Sequence, residues 1–251
     1  MSFPILISEE AGVRYLHFGS DWIQGAMRIA RPWSLELGYT REMMAGLLLR
    51  PEAAWPRRVL LIGLGAASLL KFLYRHRPRA RLTVVEIAPE VVTAARQYFK
   101  LPEDPRRIKI DIADGVDWLA GGDEIFDLIL VDGFDADARP GGLDTLPFYR
   151  ACRAHLSETG LLSVNLIGRN RGFTASIKRI QTAFDRRALV FPSDDEGNAI
   201  AIAAVGEPVD APLTELSAQA AALRKATGLN LLPALARLAQ WQTCPGERLT
   251  L

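Results

Sequence analysis

The side chains best suited to chemistry stand at the ends of apolar runs. Gly63-Leu64-Gly65-Ala66-Ala67-Ser68 follows the apolar run Val59 to Ile62 at once, and Glu86 closes a second run, Leu82 to Val85. Glycines after a strand let the backbone turn tightly and approach a ligand, and an acid about 20 residues on accepts hydrogen bonds from ribose hydroxyls. Glu86 lies 21 positions after Gly65 (86 − 65). Asp114-Gly115 follows a third run, Ile108 to Ile112. Asp132 and Asp135 follow a fourth, Phe126 to Val131. The glycine pattern is GxGxxS, so a bare strand–turn–helix with no ligand stays open, and Asp114 by itself reads equally well as a helix cap. Four consecutive strands delivering a glycine turn and four acids to one rim is the pattern of a nucleoside site, because open parallel sheets bind ligands beyond the carboxyl ends of their strands.

The elements that must hold these residues alternate. After the Arg58–Ala88 strand, turn, helix and strand, Pro89-Glu90 opens a helix with Val91, Val92, Ala95 and Tyr98 inward. Asp114 starts a short helix, and a polar loop from 136 to 144, read as a mobile lid, leads to a helix begun by Thr145 and stopped near Gly160. Leu161 to Leu166 is a strand, Gly172 to Phe184 a helix, and Ala188 to Phe191 and Ala199 to Val205 two more strands. Such alternation predicts an α/β fold with a doubly wound, mostly parallel, seven-stranded Rossmann-like sheet over residues 33–210. Ahead of it, residues 1–32 alternate polar and apolar around Gly19-Ser20-Asp21 and predict a small β-hairpin. A single helix is expected from Pro32 to just before Pro51, with Leu35, Tyr39, Met43 and Leu47 on one face. Residues 211–251 predict a helical extension, with helices over 214–227 and 231–242 separated by Gly228.

Composition narrows the function classes. The 251 residues are 49% hydrophobic and 24% charged with a formal net charge of +1, so no global field points to nucleic acid. The basic clusters Arg57-Arg58, Arg75 to Arg81 and Arg106-Arg107 read as solvated helix ends and loops. No apolar run is long enough to span a membrane, and no secretory leader is evident, so a cytoplasmic protein is expected. Cys152 falls on an apolar face with Phe148 and Leu156 and reads as core packing. His17, His76 and His155 have no metal-ligand spacing, and no metal is expected.

The order and spacing of these motifs resemble the polyamine aminopropyltransferases (spermidine synthase and its relatives), which share the fold of AdoMet-dependent methyltransferases. VLLIGLGAAS resembles that family's first nucleotide motif, and Val85-Glu86-Ile87-Ala88 its ribose-binding VEID. Asp114-Gly115 matches its adenine-binding pair, and residues 132–149, DGFDADARPGGLDTLPFY, align without a gap on its DSSDPVGPAEGLFSEEFY-type loop. Gln24 and Tyr39 to Met43 look like its glutamine and YxEM elements. The resemblance implies a homodimer acting on decarboxylated S-adenosylmethionine. It makes Gln24, Gly63, Gly65, Glu86, Ile87, Asp114, Gly115 and Asp132 nucleoside-binding, and Tyr39, Asp135 and Phe191 contacts for an amine acceptor. Asp132 would take the amine's proton and Asp135 would anchor it. A pair of carboxylates attracts a cationic amine and accepts its proton as it attacks the sulfonium carbon.

Three positions depart from that pattern. Ala66 stands where the family has an aspartate for the donor's ammonium group, Phe191 where it has a tyrosine, and Ala88 where VEID has its aspartate. Asp194, Asp195 and Glu196 are candidate replacement charges, or else a solvated turn. Two rivals follow: a methyltransferase using intact S-adenosylmethionine, and a non-catalytic nucleoside-binding relative.

Overall fold

The computed structural model describes residues 4–20, 22–135, 138–168, 172–194, 197–241 and 244–251. Three strands open the chain: β1 (Ile5–Glu10), β2 (Val13–Phe18) and β3 (Gly25–Arg28), which form an antiparallel sheet in the order β1-β2-β3. The expected two-stranded hairpin thus gains a third strand, with Ile5 paired to Phe18 and Val13 to Arg28. Of the turn expected at 19–21, Asp21 lies outside the described residues.

The single helix expected before Pro51 is two short ones, α1 (Gly38–Met43) and α2 (Gly46–Leu49). Residues 43–49 are buried on every side, so packing all round overrides a one-faced helical period.

The first half of the central α/β unit follows the expected order. It comprises β4 (Arg58–Ile62), α3 (Ser68–His76), β5 (Arg81–Glu86), α4 (Pro89–Tyr98), β6 (Ile108–Ile112), α5 (Gly115–Ala120) and β7 (Phe126–Val131). Next come α6 (Leu146–Ala154), β8 (Leu156–Ile167), α7 (Phe173–Ala183), β9 (Ala188–Pro192) and β10 (Asn198–Ala204). The helix expected to reach Gly160 ends at Ala154. His155 stops it: its buried ring nitrogens bond the carbonyls of Glu124 (2.6 Å) and Leu119 (2.9 Å), which pins the chain and lets β8 start at once.

The seven-stranded sheet has the order β6-β5-β4-β7-β8-β10-β9. Strands β4 to β8 pair in parallel, and β10 runs antiparallel between β8 and β9. Two apolar clusters cover its faces. One contains Leu61, Val84, Leu128 and the α3 leucines, and the other contains Leu60, Ile129, Phe148 and Cys152. Cys152 is fully buried in the second, as its apolar neighbours implied. The tail continues with β11 (Asp210–Pro212), α8 (Leu213–Thr227), α9 (Leu232–Trp241) and β12 (Arg248–Thr250), and β12 returns to pair with β11. Among the described residues, no helix is long and apolar enough to cross a membrane.

Candidate active site

A cavity of about 260 Å3 opens at the carboxyl ends of β4, β5, β6 and β7. Gly63 and Gly65, Glu86 to Ala88, Asp114 and Gly115, and Asp132 to Asp135 line it, with Gln24 from the N-terminal sheet closing one side. Its walls leave no room for extra atoms. A Cβ on Gly63, whose φ is +93°, would lie 2.2 Å from the Asp132 carbonyl oxygen. One on Gly115 would lie 2.6 Å from an Ile62 methyl, and one on Gly133 would lie 2.5 Å from Leu143. Gly25 performs the same service for the N-terminal sheet, which seats on the glycine loop 2.7 Å from the Ala66 methyl by that measure. At Gly63 glycine is needed because backbone meets backbone at a positive φ, and at the others because a neighbouring side chain fills the space.

Glu86 ends β5 with its carboxylate inside this wall. One oxygen accepts from the Leu64 N–H and the other from the Ala88 N–H, both at 2.9 Å. Burial raises its pKa, and the N–H groups of Ala88, Leu64 and Ile87 oppose the rise. The carboxylate therefore holds the glycine loop and the start of α4 together. Each of its oxygens has a second lone pair for a ribose hydroxyl. Ile87 is half exposed over the cavity. Asp114 is the cap of α5, as its position allowed, accepting from Val116 N (2.7 Å) and Asp117 N (3.5 Å). Both bonds fall on Oδ1, and the residue also lines the cavity, so the capping and ligand readings coexist.

Asp132 sits at the end of β7, with its N–H on the Ile62 carbonyl at 2.9 Å. Its Oδ1 accepts from Asn165 Nδ2 at 2.9 Å, and the Tyr39 hydroxyl on α1 also donates to it. Asn165 is held in turn by Asn198, whose Nδ2 donates to Asn165 Oδ1 at 2.8 Å. Burial raises the Asp132 pKa, while Asn165 and then Tyr39 work against that rise. The result is a desolvated carboxylate, fixed in orientation, with raised proton affinity. Such a group is suited to take a proton from a bound amine. A smaller recess between Tyr39, Gly65, Ala66, Ser68 and Asp132 continues the cavity past the glycine loop. Ala66, 2% exposed, brings no charge to it.

Asp135 lies on the far side of Gly133. It closes a tight loop, accepting from the Arg139 N–H at 2.8 Å, with the Arg139 Nε at 3.8 Å. Within the segment expected to be a lid, residues 141–144 form a short 3-10 turn that brings Leu143 close to Gly115 and Gly133, while Ala136 and Asp137 lie outside the described residues. Phe191 is not brought to the site. Its ring is 1% exposed in the core cluster with Leu189, Ile200 and Ile202, and it lines neither the cavity nor the recess beside Asp132. Asp194 accepts a bond from Arg237, whose guanidinium also holds the buried Glu42, so it is tied to α9 and α1 rather than to the cavity. Asp195 and Glu196 lie outside the described residues. Asn165 and Asn198 are the site residues that the sequence reading passed over. An amide in the mostly apolar stretch Leu161–Ile167 was the available signal, since such a group, once buried, needs a polar partner.

The family described as "Spermine/spermidine synthase domain" matches residues 37–167. A "Polyamine aminopropyltransferase" of Neisseria meningitidis serogroup A is 35% identical over 237 residues, covering 94% of this chain and 89% of that protein. The chain belongs to the spermine/spermidine synthase family. Among solved structures, human Methyltransferase-like protein 13 in complex with SAH is 26% identical, with a TM-score of 0.69 over 77% of this chain and 93% of that one. A probable spermidine synthase from Corynebacterium glutamicum superposes with a TM-score of 0.73 at 22% identity, covering 90% of this chain and 85% of that one, and so shares its fold. Within the spermine/spermidine synthase family match fall Tyr39, the glycine loop, Glu86, Asp114, Asp132, Asp135 and Asn165. Gln24, Phe191 and Asn198 lie outside it.

Proposed function

We propose that this chain is an aminopropyltransferase, moving the aminopropyl group of decarboxylated S-adenosylmethionine to a small amine. The observation that carries the reading is Asp132, a desolvated carboxylate held by Tyr39 and Asn165 at the rim of a nucleoside-sized cavity. Glycines that tolerate no Cβ and the Glu86 carboxylate fit a nucleoside there. In the reaction the acceptor nitrogen forms a bond to the carbon beside the sulfonium, and the C–S bond electrons return to sulfur, leaving methylthioadenosine. The nitrogen gains a positive charge and gives a proton to Asp132. Asp135, across Gly133, adds negative charge for the cationic amine.

A second reading has its own observation. Ala66 offers no carboxylate for the donor's ammonium group, which removes one reason to prefer decarboxylated over intact S-adenosylmethionine and favours a methyltransferase. Incubation with each donor and a panel of diamines separates the two. Methylthioadenosine release with amine transfer is expected, reduced on the order of 100-fold or more in Asp132→Asn. Methylation with intact S-adenosylmethionine and no amine transfer would establish the rival.

The acceptor is a small molecule rather than nucleic acid, in keeping with the net charge of +1. The cytoplasm is the expected compartment, supported by two free cysteines. A homodimer is inferred from the family resemblance and from the N-terminal sheet region, where Leu6, Trp22 and Ile23 are exposed.

A further inference from the structure

The basic clusters that look like separate solvated loops along the chain meet at one place. Parallel pairing puts the first residues of β4, β5 and β6 side by side at the end of the sheet opposite the nucleoside cavity. Arg58 and Arg81 are direct register partners, the Arg81 N–H bonds the Arg57 carbonyl at 2.7 Å, and the Leu82 N–H bonds the Arg107 carbonyl at 2.7 Å. Together with Arg79, Arg106 and Lys109 they line a recess of about 580 Å3, in which Glu124 is the one acid among the described residues.

Few of the acids near this recess form ion pairs with its arginines. Glu124 pairs with Arg58 at 3.0 Å, but Asp127 is taken up by the N–H groups of Arg57 and Arg58 and by the Ser157 hydroxyl. Asp104 accepts from the Arg106 N–H and from Tyr74. Lys109 is paired with Asp111 at 2.7 Å. Arg107 spends its guanidinium on the carbonyls of Ala80, Tyr74 and Arg77 and serves as scaffold. That leaves the guanidinium groups of Arg57, Arg79, Arg81 and Arg106, none of which has a hydrogen-bond or ion-pair partner among the described residues. Arg81 stands directly opposite Arg58 on the neighbouring strand, where like charges cost stability, and a chain whose net charge is only +1 has no general surplus of cations to explain the cluster. Planar guanidinium forks match phosphate oxygens two at a time.

We propose that this strand-entry recess is a second binding site, for a small anion carrying several phosphate groups. Several unpartnered forks around one recess call for several phosphates rather than one. Arg57, Arg81 and Arg106 line this one recess, which Arg79 joins to a neighbouring one, and their convergence favours a compact ligand over a nucleic-acid strand. The strands between the two sites are five or six residues long, about 16–20 Å, so the ligand here is separate from the donor and the site is independent of the reaction proposed above.

The test is calorimetric titration of the full-length protein with inorganic triphosphate, beside the double variant Arg81→Gln/Arg106→Gln. Saturable binding is expected that weakens at least tenfold in the variant and as salt rises, with methylthioadenosine affinity unchanged. The variant should also melt higher than the parent without triphosphate, since it has lost two repelling charges, and should gain less when triphosphate is added. Three results would overturn the proposal. These are no binding at millimolar triphosphate, equal binding by parent and variant, and orthophosphate binding as tightly as triphosphate. Stronger binding of a single-stranded DNA oligomer, or of anionic vesicles, than of triphosphate would assign the face to a macromolecule and overturn it as well.

Discussion

Asn165→Ala tests the chemistry of Asp132 without touching either acid. Asn165 donates to the ionised carboxylate at 2.9 Å and is 5% exposed, so water does not readily replace it. A hydrogen bond to a charged group is worth about 1.5–3 kcal/mol. Removing a donor to the charged form raises the carboxyl's proton affinity further in the direction burial has already pushed it. The acid limb of the rate profile must therefore move to higher pH. On that limb the rate follows the ionised fraction, so at a fixed pH it should fall roughly 10- to 150-fold, at 1.4 kcal/mol per factor of ten. On the plateau above the limb the rate should be nearly unchanged. The assay is the initial rate of amine transfer across the pH range for parent and variant, with circular dichroism to check the fold. Asn165→Asp places a second acid beside the first and should move the limb the same way. Asn198→Ala frees the Asn165 amide to turn and should give a smaller shift. A drop of equal size at every pH would show that Asn165 shapes the site without acting on Asp132, and the reasoning would fail.

Other outcomes follow from the same geometry. Glu86→Gln keeps the size of the side chain but cannot accept from both Leu64 and Ala88, so methylthioadenosine affinity by calorimetry should fall at least about tenfold; unchanged affinity with a collapsed melting temperature would make Glu86 purely structural. Lys71 is buried with its ammonium on the Phe99 carbonyl, and desolvation lowers its pKa from 10.5 to about 7. The unfolded chain binds more protons between those values, so the cost of burying Lys71 is full below pH 7 and fades toward pH 10.5. Lys71→Met should accordingly raise the melting temperature at pH 6–7 by more than at pH 10, and a gain independent of pH would contradict the assignment. Light scattering at micromolar concentration should report a dimer, and Trp22→Glu should shift it toward monomer if the exposed N-terminal sheet region is the interface.

What could be read from the chain alone divides by the range of the interactions involved. The glycine loop, Glu86, Asp114 and Asp132 were legible because each is specified within one strand-to-helix connection. There an apolar run fixes the strand and the next residues must reach the rim. Asn165 and Asn198 were not, because their meaning lies in the pairing of β8 with β10, a register that joins residues 33 positions apart. His155 belongs to the same class. Its two carbonyl partners lie 31 and 36 residues away, and only they explain why α6 ends six residues before Gly160. Phe191 shows the converse, a position matched by motif that lies in the core because its own strand buries it. The arginines show why such errors matter for function. Arg57, Arg81 and Arg106 look solvated while each is read with its neighbours in sequence. A parallel sheet aligns the starts of strands whose sequence positions are about 25 residues apart, and charge that was dispersed along the chain becomes a single recess. The fold therefore creates two sites from one rule of parallel pairing. At the carboxyl ends of the strands it gathers acids around a cavity, and at their amino ends it gathers guanidinium groups that have no ion-pair partner among the described residues.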